Sequence, residues 1–288
     1  MSESGTPSEP FVSWAQNGED VVLARALRPD LHPGFYIDVG AGHPETDSVT
    51  RAFSLRGWTG INIEPLPEEF ALITAARPDD INLNIAIGTV AGTARLFAGP
   101  PESRGLSTMN HEFADHYLNK GQAFEPIDVE VRTLADVVAE HARQTVDFLK
   151  VDVEGLELDV LASADWATFR PRIVVVEATL PESTVPSHEE WEHLLIDAGY
   201  VFTLFDGLNR FYARSDEPEL ATRLSAPANV TDGFVTIASV QAAERAKRAE
   251  TYALSLVDQV ERTKVAMQVA QDRIHELEVD LHELRGSV

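Results

Sequence analysis

An apolar run that ends in two glycines constrains the fold more than any other stretch of this chain. The run FYIDV occupies residues 35–39, and Gly40 and Gly42 follow it, with a helix-like segment beginning near Ser48. This order predicts a strand, a tight turn and a helix start, where backbone N–H groups approach a ligand and negative charge is favoured. A Gly-x-Gly turn also serves as a plain connection, so this stretch alone leaves both readings open.

Two later strand-like stretches end in acidic residues. Glu64 closes the first of them, about two dozen residues after the first strand, which is the spacing at which α/β nucleotide sites place a carboxylate on ribose hydroxyls. Asp152 and Glu154 close the second, which begins at Phe148. Three strand ends that carry glycine or acid predict one edge of a parallel sheet, where open α/β folds bind ligands.

Strand and helix patterns alternate along most of the chain. Strands are predicted near residues 35–38, 61–64, 83–87, 148–152 and 172–177, and helices near 48–56, 67–77, 133–141, 156–163 and 189–198. Residues 200–205 and 210–213, joined by DGLN, predict a hairpin. The predicted fold class is therefore α/β, a Rossmann-like class I methyltransferase sheet that ends in an antiparallel hairpin, and not the second βαβ half of a dehydrogenase.

The C-terminal fifty residues carry a different pattern, in which small or apolar residues recur at alternating steps of three and four. This spacing predicts a coiled-coil seam and a homo-oligomer, the alternative being one long helix packed on its own domain. The seam residues are Ala246, Ala249, Ala253, Leu256, Val260, Thr263, Met267, Ala270, Ile274, Leu277, Leu281 and Leu284.

These patterns divide the chain into four parts. Residues 1–10 are predicted to be a disordered tail, 11–214 the α/β domain, 215–239 a linker or cover, and 240–288 the coiled-coil helix. Within the α/β domain, residues 98–126 have no clear period, and long irregular stretches of this kind are typical of lids over a substrate.

Composition excludes several classes of partner. The formal net charge of −24 argues against nucleic acid, because phosphate binding needs a positive surface. The absence of cysteine leaves no disulfide, thiolate nucleophile or cysteine-based zinc site. No apolar stretch approaches the length of a membrane span, and the polar start lacks the regions of a signal peptide, so the expected location is the cytoplasm.

The cofactor prediction depends on the position three residues after Gly42. A dinucleotide site would have glycine there, whereas this chain has Glu45, whose carboxylate repels pyrophosphate and tolerates a cation. S-adenosylmethionine carries a sulfonium and an ammonium and no phosphate, so the residues favour it over NAD. The predicted cofactor-binding residues are Gln16, Asp38, Gly40, Gly42, Glu64 and Asp152, although Gln16 also fits a simple role near a helix cap.

Methyl transfer to oxygen requires alignment of donor and acceptor and benefits from a base. His43, Glu154 and His188 are the predicted catalytic candidates, and each histidine also fits an ordinary hydrogen-bonded role. Asp152 and Glu177 end neighbouring predicted strands and are candidate ligands for a divalent metal such as Mg²⁺, which would lower the pKa of the hydroxyl. The alternative for this pair is capping of the turns that follow.

Four ordered motifs together resemble the FkbM-type methyltransferase family. They are QNGED at 16–20, IDVGA at 37–41, GWTGI at 57–61 with IEP at 63–65, and LKVDVEG at 149–155, and the resemblance extends over residues 13–213. It implies a Rossmann-like class I fold, S-adenosylmethionine as donor and O-methylation of a sugar or a secondary-metabolite hydroxyl. His43-Pro44 and GLST at 105–108 resemble the branch associated with bacterial glycans, which favours a sugar hydroxyl. A polyketide or other small-molecule hydroxyl, and a non-catalytic scaffold that uses the coiled coil, are the alternatives.

Overall fold

Short β-branched strands and amphipathic helices alternate through most of the chain. The computed structural model describes residues 10–286, which divide into a unit that extends to Phe234 and a second unit that begins at Val235. The predicted tail 1–10 lies, apart from Pro10, outside the described residues, as do the last two residues of the predicted coiled-coil segment.

The strands are β1 (Phe11–Ser13), β2 (Phe35–Val39), β3 (Thr59–Ile63), β4 (Ile81–Leu83), β5 (Ala86–Ile87), β6 (Gly92–Ala98), β7 (Glu125–Arg132), β8 (Phe148–Val151), β9 (Ile173–Glu177), β10 (Tyr200–Phe205), β11 (Asn209–Arg214) and β12 (Phe234–Thr236). The helices are α1 (Glu19–Leu27), α2 (Arg51–Ser54), α3 (Pro67–Ala76), α4 (His111–Asn119), α5 (Leu134–His141), α6 (Glu157–Ala162), α7 (Glu192–Asp197), α8 (Pro218–Leu224) and α9 (Ile237–Gly286).

Seven strands form the main sheet, in the order β10-β11-β9-β8-β2-β3-β4. The five strands β9, β8, β2, β3 and β4 are parallel. Strand β11 runs antiparallel to β9 and forms an antiparallel hairpin with β10. The parallel sheet and the closing antiparallel hairpin that the sequence predicts are both present. This mixed α/β architecture is consistent with a methyltransferase fold.

The register of the parallel strands places four strand ends side by side. Val39 is opposite Ile63 on one side and Val151 on the other, and Val151 is opposite Val176. The residues that come next in the chain are Gly40, Glu64, Asp152 and Glu177. All four therefore lie one residue past a common row, at the carboxyl edge of the sheet.

Alternation along the buried strands divides the core between the two faces of the sheet. Leu149 and Val151 pack with residues of α5, α6 and α7, whereas Phe148 packs on the opposite face with residues of α1 and α8. Helix α8 lies within the stretch that the sequence assigned to a linker or cover, and its Leu220 and Leu224 are buried. The compact unit accordingly continues past residue 214.

Two sequence predictions in the middle of the chain were wrong. The single strand at 83–87 is divided into β4 and β5, because Asn84 donates to the main-chain oxygens of Glu64 and Pro65 and redirects the chain. Strand β5 pairs with β7 in a second, three-stranded sheet with the order β5-β7-β6.

The stretch 98–126 is not irregular. It begins at the end of β6, continues through a 3-10 turn at Pro101–Leu106 and the helix α4, and enters β7, which pairs antiparallel with β6. Asn110 caps α4 by accepting hydrogen bonds from the N–H groups of Glu112 and Phe113. The alternation of Ile127, Val129 and Val131 with acidic residues was the signal for the missed strand β7.

Helix α9 forms most of the second unit. Its described seam residues, including Leu256, Ile274, Leu277 and Leu281, are exposed in the isolated chain. Within residues 10–286, no helix combines the length and the apolar character that crossing a lipid bilayer requires.

Candidate functional site

A cavity of about 500 Å³ opens at the carboxyl edge of the main sheet. Its volume is within the range of small-molecule and cofactor sites. Of the residues predicted from the sequence, those on its wall are Gln16, Gly40, Gly42, His43, Glu64, Asp152 and Glu154. Pro101, Glu102 and residues 104–109, within the predicted lid, also line the cavity, and the lid function itself stays a prediction.

One part of the wall consists of Gly40, Gly42 and Glu64, which we call the glycine wall. The N–H of Gly40 donates to the carbonyl of Ile63 at 3.0 Å, and its φ of +77° is left-handed. A Cβ at Gly40 would overlap the backbone carbonyl of Asp152, so the close approach of β2 and β8 requires glycine there. Gly42, with φ of +59°, has open space where its Cβ would be, on the side of the cavity.

Both carboxylate oxygens of Glu64 accept backbone hydrogen bonds. The N–H of Gly42 donates to Oε2 and that of Leu66 to Oε1, each at 2.8 Å. Burial raises the pKa of Glu64 to about 7, and the two N–H groups act in the opposite direction. The remaining lone pairs of a carboxylate held in this way can accept hydroxyl donors from a ligand in the cavity.

Asp38 lies behind the glycine wall and, within the described part of the chain, does not line the cavity. Its Oδ2 accepts from the hydroxyl of Thr50 at 2.8 Å, and its side chain is 1% exposed. The Lys150 ammonium lies 3.5 Å from Oδ1 of Asp38 and donates to the carbonyl of Gly40 at 2.8 Å. Through these contacts Asp38 holds the turn after β2, and its role in binding the donor stays a prediction.

Lys150 is a residue to which the sequence analysis gave no role. Its ammonium also lies 3.3 Å from Asp152, so it joins two strand ends. Burial alone would lower the pKa of Lys150, but the carboxylates of Asp152 and Asp38 raise it above the ordinary value. A lysine inside an otherwise apolar strand was the available signal, because a buried ammonium needs partners.

Arg77 is the second residue that the sequence analysis missed. It is 3% exposed, and its guanidinium donates to Thr50, Ser48 and the carbonyl of Pro44. It therefore fixes the segment between the glycine turn and α2. The sequence carried no signal for this role, since Arg77 follows α3 and meets the segment only after folding.

The other part of the site consists of Asp152, Glu154 and Glu177, which we call the acidic cluster. One carboxylate oxygen of each lies within 4.8 Å of the others. Burial, together with the neighbouring carboxylates, holds the pKa values of Glu154 and Glu177 well above their ordinary range. Asp152 and Glu154 line the cavity, whereas Glu177 lies behind them on β9.

The loop after β8 is held in an unusual backbone conformation. Glu154 has a left-handed φ of +55°. Glu157 accepts from the N–H groups of Val153 and Gly155, and the hydroxyl of Thr108 donates to the carbonyl of Glu154 at 2.8 Å. Thr108, beside the cavity, and Glu157, at the start of α6, therefore fix the backbone position of Glu154.

The two candidate histidines occupy different places. Nδ1 of His43 accepts from the backbone N–H groups of Glu45 and Thr46 at 3.1 and 3.0 Å, so its neutral form carries the proton on Nε2. That arrangement leaves no free ring lone pair for a base. His188 is not on the cavity wall formed by the described residues, and its Nε2 lies 4.0 Å from Glu192.

Glu45 does not line the cavity that the described residues form, contrary to the role that the sequence predicts for it. Its carboxylate pairs with Arg51 at 2.9 Å, and the part of the chain described here places it outside the cavity wall. The wall is nevertheless acidic, with Arg104 and Lys150 as its described basic residues. The acidic residues that line it are Asp47, Glu64, Glu69, Glu102, Asp152 and Glu154. This excess of acidic residues on the wall, rather than Glu45, disfavours a pyrophosphate ligand.

The fold and the site define an α/β protein with a cofactor-sized cavity at the carboxyl edge of a parallel sheet. A family model described as the methyltransferase FkbM domain matches residues 38–202, more than half of the chain. The chain belongs to the FkbM methyltransferase family.

A relative named methyltransferase sdnD, from Sordaria araneosa, is 34% identical over 120 residues. The match includes 38% of this chain and 41% of that protein, so the chain spans less than half the length of this relative. The similarity agrees with the methyltransferase family and leaves the substrate open.

Proposed function

We propose that this protein is an S-adenosylmethionine-dependent O-methyltransferase that acts on a sugar hydroxyl. The observation that carries the proposal is the common row of strand ends, which brings Gly40, Glu64 and Asp152 to one cavity. The family agrees with this chemistry. The excess of acid on the wall suits a donor that carries two positive groups and no phosphate before it reacts.

Glu64 and the two glycines would hold the donor. Glu64 would accept hydrogen bonds from ribose hydroxyls while its own position is maintained by the N–H groups of Gly42 and Leu66. Gly42 leaves room for close approach of a ligand to the backbone. Gln16 and Asp152, also on the wall, stay predicted donor contacts. S-adenosylmethionine, when bound, supplies a methyl carbon activated by the adjacent sulfonium.

Glu154 is the candidate base that we retain. Its side chain lines the cavity, and the hydrogen bonds of residues 10–286 include none to its carboxylate. His43 is less suitable because backbone N–H groups occupy its Nδ1, and His188 is less suitable because it is not on the cavity wall that the described residues form. A carboxylate beside the acceptor hydroxyl would take its proton as the carbon–oxygen bond forms.

The acceptor is the less constrained part of the proposal. The acidic groups on the wall favour a polar acceptor such as a sugar. A hydroxyl on a less polar secondary metabolite is the second candidate, and the apolar side chains of Leu96, Leu106 and Met109 on the wall favour it.

The test is a transfer assay with S-adenosylmethionine that carries a deuterated methyl group. The full chain is incubated with panels of saccharides and of polyketide alcohols, and products are detected by mass spectrometry. Addition of one labelled methyl group to a saccharide supports the leading proposal, and addition to a polyketide alcohol alone supports the second candidate. Transfer to neither panel, together with no binding of S-adenosylhomocysteine, would favour the non-catalytic scaffold.

The proposal includes assembly through α9. Ile274, Leu277 and Leu281 belong to the predicted seam, and the described chain leaves them exposed. A second copy in parallel register would bring Arg273 opposite Glu278 and Asp280 opposite Arg285, at positions that flank such a seam. If two antiparallel helices kept these charge pairs, only the C-terminal ends of the two helices would overlap. We therefore propose a parallel homo-oligomer.

A further inference from the structure

We infer that Asp152, Glu154 and Glu177 form a binding site for one divalent cation at the inner edge of the cavity. The inference rests on the proposed function for its role in the reaction but not for the site itself. It extends the predicted pair Asp152 and Glu177 by a third ligand, Glu154, which comes from the loop after β8.

The spacing of the three carboxylates suits one ion. One oxygen from each lies within 4.8 Å of the other two. Magnesium, manganese and calcium bind oxygen at about 2.0–2.6 Å, so two oxygens on the same ion are separated by at most about 4–5 Å. An oxygen-only set of ligands favours these metals over zinc and copper.

Glu177 supplies the second, independent observation. The residue is 8% exposed, and its Oε2 has no hydrogen-bond partner among the described atoms. A buried carboxylate oxygen without a partner is costly. Because this oxygen belongs to a carboxylate that converges with those of Asp152 and Glu154, a shared cation would satisfy all three at once.

Lys150 does not supply the missing partner of the Glu177 oxygen. Its ammonium is 3.3 Å from Asp152, but it is also 3.5 Å from Asp38 and donates to the carbonyl of Gly40. The ion pairs described for Lys150 include neither Glu154 nor Glu177. One ammonium is thus divided between two strand ends, and the described ion pairs give Glu154 and Glu177 no cationic partner.

The site opens toward the place where an acceptor would bind. Asp152 and Glu154 line the cavity, and the Asp152 side chain is 33% exposed. A divalent ion there would retain open coordination positions for the acceptor. The substrate class that this arrangement favours is an alcohol with a second oxygen on the neighbouring carbon, such as a vicinal diol of a sugar, which can chelate the ion.

In this arrangement one carboxylate oxygen of Glu154 binds the ion, which lowers the pKa of the acceptor hydroxyl. The hydroxyl gives its proton to the other oxygen of Glu154, the base proposed above, and the hydroxyl oxygen forms the new bond to the methyl carbon. The bond between that carbon and sulfur breaks with both electrons going to sulfur, which becomes a neutral thioether.

The test measures binding of Mn²⁺ alone to the full chain after treatment with a chelator. Electron paramagnetic resonance reports free Mn²⁺, and calorimetry reports the stoichiometry. We expect one saturable site and an affinity that Glu177→Gln and Asp152→Asn each weaken by roughly tenfold or more. Glu102→Gln is the matched control, since Glu102 is an exposed acid on the same cavity wall, and it should leave the affinity unchanged.

Circular dichroism of each variant establishes that it is folded before titration. Absence of a saturable Mn²⁺ site in the wild type would overturn the inference, and so would equal weakening by Glu102→Gln and Glu177→Gln. S-adenosylhomocysteine is titrated separately without metal. Binding of S-adenosylhomocysteine without binding of Mn²⁺ would reject the ion site alone, whereas binding of Mn²⁺ without S-adenosylhomocysteine would reject the proposed donor.

Discussion

The glycine wall and the acidic cluster lie on the same edge of the same sheet, yet their carboxylates have opposite surroundings. Glu64 accepts two backbone N–H groups, one to each oxygen. Glu177, also one residue past the common row of strand positions, has a buried oxygen for which the described residues supply no hydrogen-bond partner. Position on the strand therefore does not determine what a carboxylate can bind; the groups that the following loop supplies determine it.

The two loops explain the difference. After β3 the chain turns so that the N–H of Leu66 points back to Glu64, and the neighbouring glycine turn supplies a second N–H. After β9 the residue paired with Glu177 is Asn209, on the antiparallel strand β11, and the nearby acids come from the loop after β8. The first arrangement suits neutral hydroxyl donors, and the second suits a cation.

The largest expected effect concerns the glycine wall itself. Gly40→Ala should lower the free energy of unfolding by at least about 3 kcal/mol, because the new Cβ overlaps the carbonyl of Asp152 and the φ is left-handed. Gly42→Ala, which has a similar φ but open space, should cost about 1 kcal/mol. Urea unfolding of both variants measures the difference, and equal losses would show that β2 and β8 do not approach as described.

Glu19 is a buried carboxyl outside the glycine wall and the acidic cluster, and it shows how burial of a carboxyl affects the free energy of unfolding. Glu19 accepts hydrogen bonds from Asn209 and the N–H of Asn17, and burial raises its pKa to about 7, with Asp206 and Asp20 adding repulsion. Because the folded state holds this proton more tightly than the unfolded state, stability should fall as pH rises from about 4.5 to 7. The contribution is about 3 kcal/mol in order of magnitude.

Glu19→Gln should remove this part of the pH dependence. Urea midpoints at pH 5 and pH 8, at constant ionic strength, should be closer together in the variant than in the wild type. The same separation in both proteins would show that burial does not raise the pKa of Glu19.

The next two variants test whether the glycine wall and the acidic cluster bind different ligands. Glu64→Ala should weaken binding of S-adenosylhomocysteine by roughly tenfold, about 1.4 kcal/mol, while leaving Mn²⁺ affinity unchanged. Glu177→Gln should do the reverse, because Glu177 lies behind the cavity wall formed by the described residues. Calorimetry with each ligand on each variant gives four values. Loss of both ligands in both variants would show that the two regions act as one site.

The smallest expected effect on the donor comes from the second unit. Removal of residues 246–288 should convert an oligomer to a monomer and change the affinity for S-adenosylhomocysteine by less than about twofold, since the glycine wall belongs to the first unit. Leu277→Asp should also dissociate the oligomer, whereas Val279→Asp, an exposed apolar position off the seam, should not. Sedimentation measures all three, and a monomeric wild type would reject assembly through α9.

The sequence predicted the parts of the molecule that depend on local patterns. The strand ends at Gly40, Glu64 and Asp152 and the closing hairpin follow from alternation and turn residues, and the structure contains them. The family followed from four motifs in order, and the match over residues 38–202 confirms it.

What the sequence did not predict depends on contacts between distant residues. The roles of Lys150 and Arg77 appear only when strands and loops far apart in the chain meet. The second sheet was missed because β5 has two residues and pairs with β7 some forty residues later. The interpretation of Glu45 failed because its partner Arg51 neutralises it after folding.

The central claim is that the glycine wall binds the adenosyl donor. Calorimetric titration of the full chain with S-adenosylhomocysteine, and in parallel with NAD, tests it most directly. The account predicts saturable one-site binding of S-adenosylhomocysteine, weakened in Glu64→Ala, and no binding of NAD. Saturable binding of NAD, or no binding of S-adenosylhomocysteine to the folded wild-type protein, would contradict it.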